Sequence, residues 1–546
     1  MALPKITAHT ELSALSAIEH DALVAVYTDL DSLSSLQSSW ASAIEPYRSI
    51  DKDFGQTVAL VPSGAVGGNR LVLSPTGSLN DDTDDVRKIG EAAKAGIARA
   101  IEAGAKRPAL VLAQAPPSPA EAPLDADYSR WIEVALLGAL EASYVTLVVR
   151  EFRESSRKGE LENLDSIDLV VPGVIAQDCL KHVITRVRAI EAGRRLAKDV
   201  GYGDPERMTP YKCAEYIEQT VKGVKGIEYE EIKDLEVLKN EYPLLYHSSR
   251  ASLAEKKTWP CIVKLAYKSP DPTKVKEHLY LVGKGVTYDT GGISLKIGAA
   301  MRGMSRDKLG ACGLAGFVLA TGLVEEPSVD ITCILAFERN SIGPNALLPD
   351  EVVVSRAGVR VLIGDTDAEG RLVMTDAVCE CREKILAARA AGDYTPSAIY
   401  TAATLTGHVI RAYGWYGAAV ANGPARKEKW DHRLLVAGLA YGDPFENSVM
   451  RRDDHQFIAS KTDREDVYQS NCNPSTQTDR GHQYPAAFII KASGLDKHSL
   501  SAGKDAISFI HVDIAGSAED GVEPGLGLMG ITGSPVATFA GAFWTA

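Results

Sequence analysis

Five apolar runs in the C-terminal part of the chain constrain its fold most: HLYLVGK (278–284), VDITCILAF (329–337), VRVLIGD (359–365), SAIYTAATL (397–405) and ISFIHVDIA (507–515). Their near-continuous hydrophobicity leaves no wet face, which suits strands covered on both sides in a parallel or mixed sheet. Segments of helical character lie between them, LGACGLAGFVLATGL and RLVMTDAVCECREKILAARA. Strand and helix in alternation predict an α/β domain. In open sheets of this kind ligands gather beyond the carboxyl ends of the strands, so chemistry is expected in the residues that follow each run.

A chain of 546 residues is too long for a single hydrophobic core. Residues 1–175 alternate strand-like runs (DALVAVYTDL, QTVALVPSG, RPALVLAQ) with amphipathic helices. One of these, DDVRKIGEAAKAGIARAIEAG, stacks Ile89, Ala93, Ile97 and Ile101 on one stripe. This predicts a smaller N-terminal α/β domain, in which the Gly-rich GAVGGNR reads as a loop. Residues 176–200 predict one long helix linking two domains; GYGDPERMTP breaks it, and a helix restarts with Pro210 in its first turn. Residues 201–546 are expected to form the larger domain, a mixed central sheet flanked by helices.

Composition narrows the function. The net charge of -13 opposes non-specific nucleic-acid binding, which needs a basic face. The N-terminal residues lack a basic stretch followed by an apolar run, and no stretch of about 20 apolar residues is free of charge, so neither a secretory signal nor a membrane span is expected. The eight cysteines contain no C-x-x-C pair and suit reduced, mostly buried positions, as in cytosolic proteins. Cys379 and Cys381, two apart on a helix, point away from each other and do not suit a metal site.

Three runs end in loops rich in Gly, Thr and carboxylates. HLYLVG leads into KGVTYDTGGISLK, with Lys284, Asp289 and Lys296, and Asp307 follows. VRVLIG leads into DTDAEGR, with Asp365, Asp367, Glu369 and Arg371, and SAIYTAA leads into TLTGH. Asp289, Asp307, Asp367 and Glu369 in one cleft would repel strongly without counter-charge. Two divalent cations would supply it, bridged by carboxylates at roughly 3.5–4 Å. Asp367 and Glu369, two apart, would face the same side of an extended segment. A lysine can ligate only as the neutral amine, so Lys284 would need a depressed pKa. Arg371 at a helix start makes an anion site.

These motifs resemble the leucyl aminopeptidase (cytosol aminopeptidase) family. VGKGVTYDTGGISLK (282–296) resembles its metal-binding stretch, TDAEGRL (366–372) its signature, ATLTG (403–407) its substrate loop, and HVDIAGSA and ITGSPVATF its C-terminal pattern. The resemblance covers residues from about 190 onward. It implies an aminopeptidase in which Lys284, Asp289, Asp307, Asp367 and Glu369 ligate two ions of zinc, or alternatively manganese or magnesium, with Asp289 and Glu369 shared. Lys296 would polarise the scissile carbonyl, and Arg371 would hold a bicarbonate acting as general base toward the bridging water. Met304 and Thr404, Leu405, Thr406 and Gly407 would line the pocket for the first side chain. Peptides with a free N-terminus are the implied substrates, a homohexamer the implied assembly.

The chain also departs from that pattern. Lys308 follows Asp307 where the family has Met, Asp365 replaces an Asn, RGHQYPAAF brings His482, Tyr484 and Pro485 into a usually Gly-rich turn, and Asp350 and Glu351 replace a Gly-Asp pair. Lys308 either points at the metals, weakening their binding, or is solvated. These changes keep a second reading open, a weakened or inactive relative acting as an oligomeric binding or scaffold protein.

Overall fold

The computed structural model describes residues 3–79, 82–116, 127–156, 160–473, 477–520 and 530–545. The chain divides into two compact units, one of Met1–Ala192 with Gly438–Gly442, the other of Gly193–Ala437 with Asp443–Ala546.

The first unit holds a six-stranded sheet of β1 (Lys5–His9), β2 (Ala22–Tyr27), β3 (Ala59–Pro62), β4 (Arg70–Pro75), β5 (Pro108–Leu112) and β6 (Ser166–Val170), ordered β1-β6-β5-β2-β4-β3. All neighbours are parallel except β3 and β4. The central β2 and β5 are buried at every residue, as their apolar runs require. The predicted stripe lies on the helix Arg87–Glu102, which buries Ile89, Ala93 and Ile97 and leaves Ile101 half-buried. The edge strand β1 (KITAH) is too short and polar to have stood out in the sequence.

The second unit is built on an eight-stranded mixed sheet of β7 (Ile227–Ile232), β8 (Cys261–Tyr267), β9 (Glu277–Asp289), β10 (Val329–Asn340), β13 (Ser397–Ala403), β14 (Gly417–Ala421), β15 (Phe445–Val449) and β17 (Ser508–Asp513), in the order β15-β14-β17-β13-β9-β10-β8-β7. The four middle strands β17, β13, β9 and β10 run parallel and point their carboxyl ends one way. The helix Leu309–Val324 is apolar on every face because it is core, with all residues through Gly322 buried. It belongs to a helical stretch, Gly298–Val324, that is long and apolar enough to cross a membrane but has 89% of its most apolar window buried in the fold.

One of the five runs behaves differently from expectation. VRVLIGD forms only a three-residue strand, β12 (Arg360–Leu362), in a separate sheet with β11 (Val352–Val354) and β16 (Val467–Tyr468). Arg360 on it is exposed, so the run is not covered on both faces.

Candidate metal centre and active site

Loops after the parallel strands and the segment after β12 meet at one cavity of about 690 Å³, lined by Lys284, Asp289, Lys296, Asp307, Asp367, Glu369 and Arg371, with Met304, Thr404, Leu405, Thr406 and Gly407. Every site residue expected from sequence therefore lies on this cavity. Lys284 and Asp289 come from β9 itself. Asp307 ends a 3-10 turn, Met304–Arg306, just before the buried helix Leu309–Val324. Glu369 and Arg371 sit in the first turn of the helix Glu369–Ala390.

Single oxygens of Asp289, Asp307 and Glu369, all buried, lie within 4.8 Å of one another. Asp367 stands beside this trio, with about a third of its side chain exposed, and joins it through Lys296. Lys296 Nζ is 2.7 Å from Asp289 Oδ2 and 2.5 Å from Asp367 Oδ1. Lys284 Nζ is 2.7 Å from Asp307 Oδ2 and 2.9 Å from Glu369 Oε1. Asp367 and Glu369 do not share the side of an extended segment. Residues 366–367 form a turn and Glu369 begins a helix, and that geometry turns both carboxylates to the cavity.

The loops are held by polar groups fixed in turn by the sheet. Asp289 Oδ1 accepts from Gly291 N and from Asn340 Nδ2, each at 2.8 Å. Thr366 staples the two acidic loops, its hydroxyl donating to Gly291 O at 2.7 Å and accepting from Ser294 N at 2.8 Å. Gly291 turns the chain at φ +84°, where a side chain is strained. A Cβ on Gly370 would stand 2.8 Å from Lys284 Nζ, so glycine there lets the helix start approach the lysine. Thr404 donates to Asp307 Oδ1 at 2.9 Å, and Asp513 at the end of β17 accepts from Thr406 Oγ1 and Leu405 N at 2.7 and 3.1 Å.

Several of these partners carried no readable signal. Gln469 is the clearest case. It is fully buried and clamps the 364–368 turn, accepting from Gly364 N and Asp365 N and donating to the carbonyls of Asp365 and Ala368. Nothing near it in sequence marks it.

Electrostatics show what the cluster lacks. Burial, and then the neighbouring carboxylates, push Asp307 well above the ordinary carboxyl value and raise Glu369, and burial with Asp289 pushes Asp367 to about 8. Two ammonium groups thus leave four crowded carboxylates short of positive charge. Burial alone would lower Lys284 and Lys296, but the carboxylates outweigh it and both are raised. Glu369 Oε2 is buried without a hydrogen-bond partner, and Asp307 Oδ2 and Asp367 Oδ1, though within ion-pair reach of a lysine, accept no well-aligned hydrogen bond. Hard oxygen donors plus one amine fit divalent cations.

A pH dependence follows. If Lys284 ligates, cation uptake would expel the proton it holds, along with any on the three raised carboxyls. These pKa values are raised in the cation-free state, so protons compete more strongly as pH falls. Apparent affinity for zinc or manganese, measured by chelator competition, should weaken steadily from about pH 9 to 6. A flat profile would contradict ligation by Lys284.

The departures resolve individually. Lys308 is neither aimed at the carboxylates nor solvated. It is fully buried, and its ammonium donates to the carbonyls of Ser305 and, at 3.4 Å, Gly201. Glu351 forms a two-pronged pair with Arg250 at 2.6 and 2.9 Å, a structural link. Asp365 lines the cavity and accepts from Asp367 N at 3.0 Å. His482 is buried against Ser448 (3.0 Å) and Tyr413, and burial lowers its pKa to about 4, as befits a packed neutral ring. Tyr484 lies under the Arg371 guanidinium, 4.8 Å from its carbon, while Arg371 Nη1 donates to Gln469 O at 3.0 Å. Arg371 Nε is buried with no hydrogen-bond partner.

Residues 195–540 match the profile of the cytosol aminopeptidase family, catalytic domain. A Caenorhabditis elegans protein, provisionally named an aminopeptidase, is 35% identical over 84% of this chain and 83% of its own length. A Tropheryma whipplei protein, provisionally named a cytosol aminopeptidase, is 28% identical over 70% of each chain. A tomato leucine aminopeptidase mutant shares the fold at TM-score 0.74 and 20% identity, covering 99% of this chain and 96% of its own. The bottromycin maturation enzyme BotP, solved in complex with Mn, does so at 0.72 and 21%, covering 96% and 98%. The chain belongs to the cytosol aminopeptidase family, a family of divalent-metal-dependent peptidases.

Proposed function

We propose that this chain removes N-terminal amino acids from peptides with two divalent cations, zinc or alternatively manganese or magnesium. The observation that carries this is the crowded, charge-deficient carboxylate cluster flanked by two lysines. Lys284, Asp289, Asp307, Asp367 and Glu369 would hold the cations, with Asp289 and Glu369 shared. When bound, the cations supply Lewis acidity and make a water acidic enough to attack near neutral pH.

The chain's own groups do the rest. Lys296 places positive charge where the scissile carbonyl gains negative charge. Arg371 has a buried Nε to offer and stands in the first turn of a helix, so it would hold a bicarbonate, which when bound supplies a general base. Met304 and the loop Thr404, Leu405, Thr406 and Gly407 would enclose the first side chain, with Asp513 fixing that loop. Binding the substrate's free amine in the cluster would confine cleavage to unblocked N-termini.

We further assign residues 1–175 to an N-terminal domain, 176–200 to a linking helix and 201–546 to the catalytic domain of a cytoplasmic homohexamer. The rival scaffold reading drew on Lys308, Asp365 and the 470–485 region; of these, Lys308 binds two carbonyls and lends it no support. Elemental analysis after reconstitution tests the proposal. It should give about two ions per chain, and a protein that takes up none from zinc or manganese would refute the reading.

A further inference from the structure

Lys308 stands next to a proposed cation ligand and has no part in the proposed chemistry. Its side chain is wholly buried. Its ammonium donates to the carbonyl of Ser305 and, at 3.4 Å, to that of Gly201. Both acceptors are uncharged, so the amine leaves water without the return that an ion pair gives, and burial of that kind is costly.

The two carbonyls sit at particular places in the fold. Gly201 is the last residue of the helix Gln177–Gly201, where carbonyls lack helical partners and positive charge is favoured. Ser305 is the middle residue of the turn Met304–Arg306, which hands the chain to Asp307. Lys308 therefore ties the turn that presents Asp307 to the end of a long helix. The joint is close: a Cβ on Gly201 would stand 2.5 Å from Leu309 Cδ2, so glycine lets the helix end come up against the residue after Lys308.

Asp307 has less backbone support than its neighbours. Lys284 and Asp289 are held by β9, and Glu369 by the first turn of a 22-residue helix. Asp307 instead follows a three-residue 3-10 turn entered through Gly303 at φ +93°. Resting on the two-cation reading of this site, we propose that Lys308 is a positioning residue: by joining Ser305 O to Gly201 O it holds Asp307 in place for the cation that Asp307 ligates.

Charge and position make opposite demands here. An ammonium next to the cluster repels cations, so on charge alone its removal would tighten their binding. If it positions Asp307, its removal weakens binding at one site. The experiment compares wild type with Lys308→Met, which keeps an unbranched side chain and loses the donor. It uses stepwise chelator competition for zinc and thermal melting of the cation-free protein. One of the two binding steps should weaken by roughly 10–100-fold, the same step that Asp307→Ala abolishes, with the other step kept. The cation-free melting temperature should hold or rise, because an apolar chain in place of a buried ammonium relieves its desolvation. Affinity lost without stability lost separates positioning from a general stabilising role. Two steps left unchanged, tightened, or weakened alike would overturn the proposal and leave the two-cation reading standing. A variant that melts well below wild type, or does not fold, would make Lys308 a support of the fold at large and overturn the proposal as well. Wild type that binds no zinc would overturn the two-cation reading, and the proposal with it.

Discussion

Replacing Glu369 by alanine should remove both cations together and lower kcat/KM by about 10³-fold or more. Glu369 is a buried member of the carboxylate trio; its Oε1 faces Lys284 and its Oε2 is unpartnered, so two oxygens are on offer in opposite chemical states. A residue shared between two cations cannot be lost at the expense of only one. Asp289→Ala should behave alike, because its Oδ1 is anchored by Gly291 and Asn340 while Oδ2 remains for the centre. Metal content of the two variants, measured beside activity, checks this. One tightly held ion in both would show that neither residue bridges.

Lys296→Ala should lower kcat by about 10²–10³-fold with a much smaller change in KM. In the cation-free state Lys296 neutralises Asp289 and Asp367, so its loss there removes a counter-charge. On the proposed mechanism the cations would provide that charge in the loaded enzyme, and the lysine would act on the oxyanion as it forms. Steady-state kinetics on protein shown to retain two ions separates the two roles. A raised KM with kcat unchanged would mean that Lys296 binds substrate without favouring the transition state.

Most residues that carry charge into the cavity were legible because they follow an apolar run, and the parallel pairing of β9 and β13 brings two of the three loop-bearing strand ends together. The route of the DTDAEGR loop was not legible. Its strand looked like the others, yet β12 lies in a side sheet, since hydrophobicity alone cannot say which sheet accepts a strand. The alanine-rich β14 (GAAVA) and the alternating edge strand β7 were also silent, because neither has the branched apolar run of a central strand. Lys308 shows the limit of local reading: proximity to Asp307 suggested the metals or solvent, but the carbonyls of Ser305 and Gly201 take its ammonium, and Gly201 is over a hundred residues away in sequence. Gln469 likewise depends on contacts between distant segments.

The central claim is best tested with one matched pair of substrates on metal-reconstituted protein, an aminoacyl amide with a free amine and the same compound N-acetylated. The free amine is expected to anchor in the carboxylate and cation cluster, so the unblocked amide should be hydrolysed and the acetylated one left intact. Equal cleavage of both would contradict the assignment of this chain as an aminopeptidase.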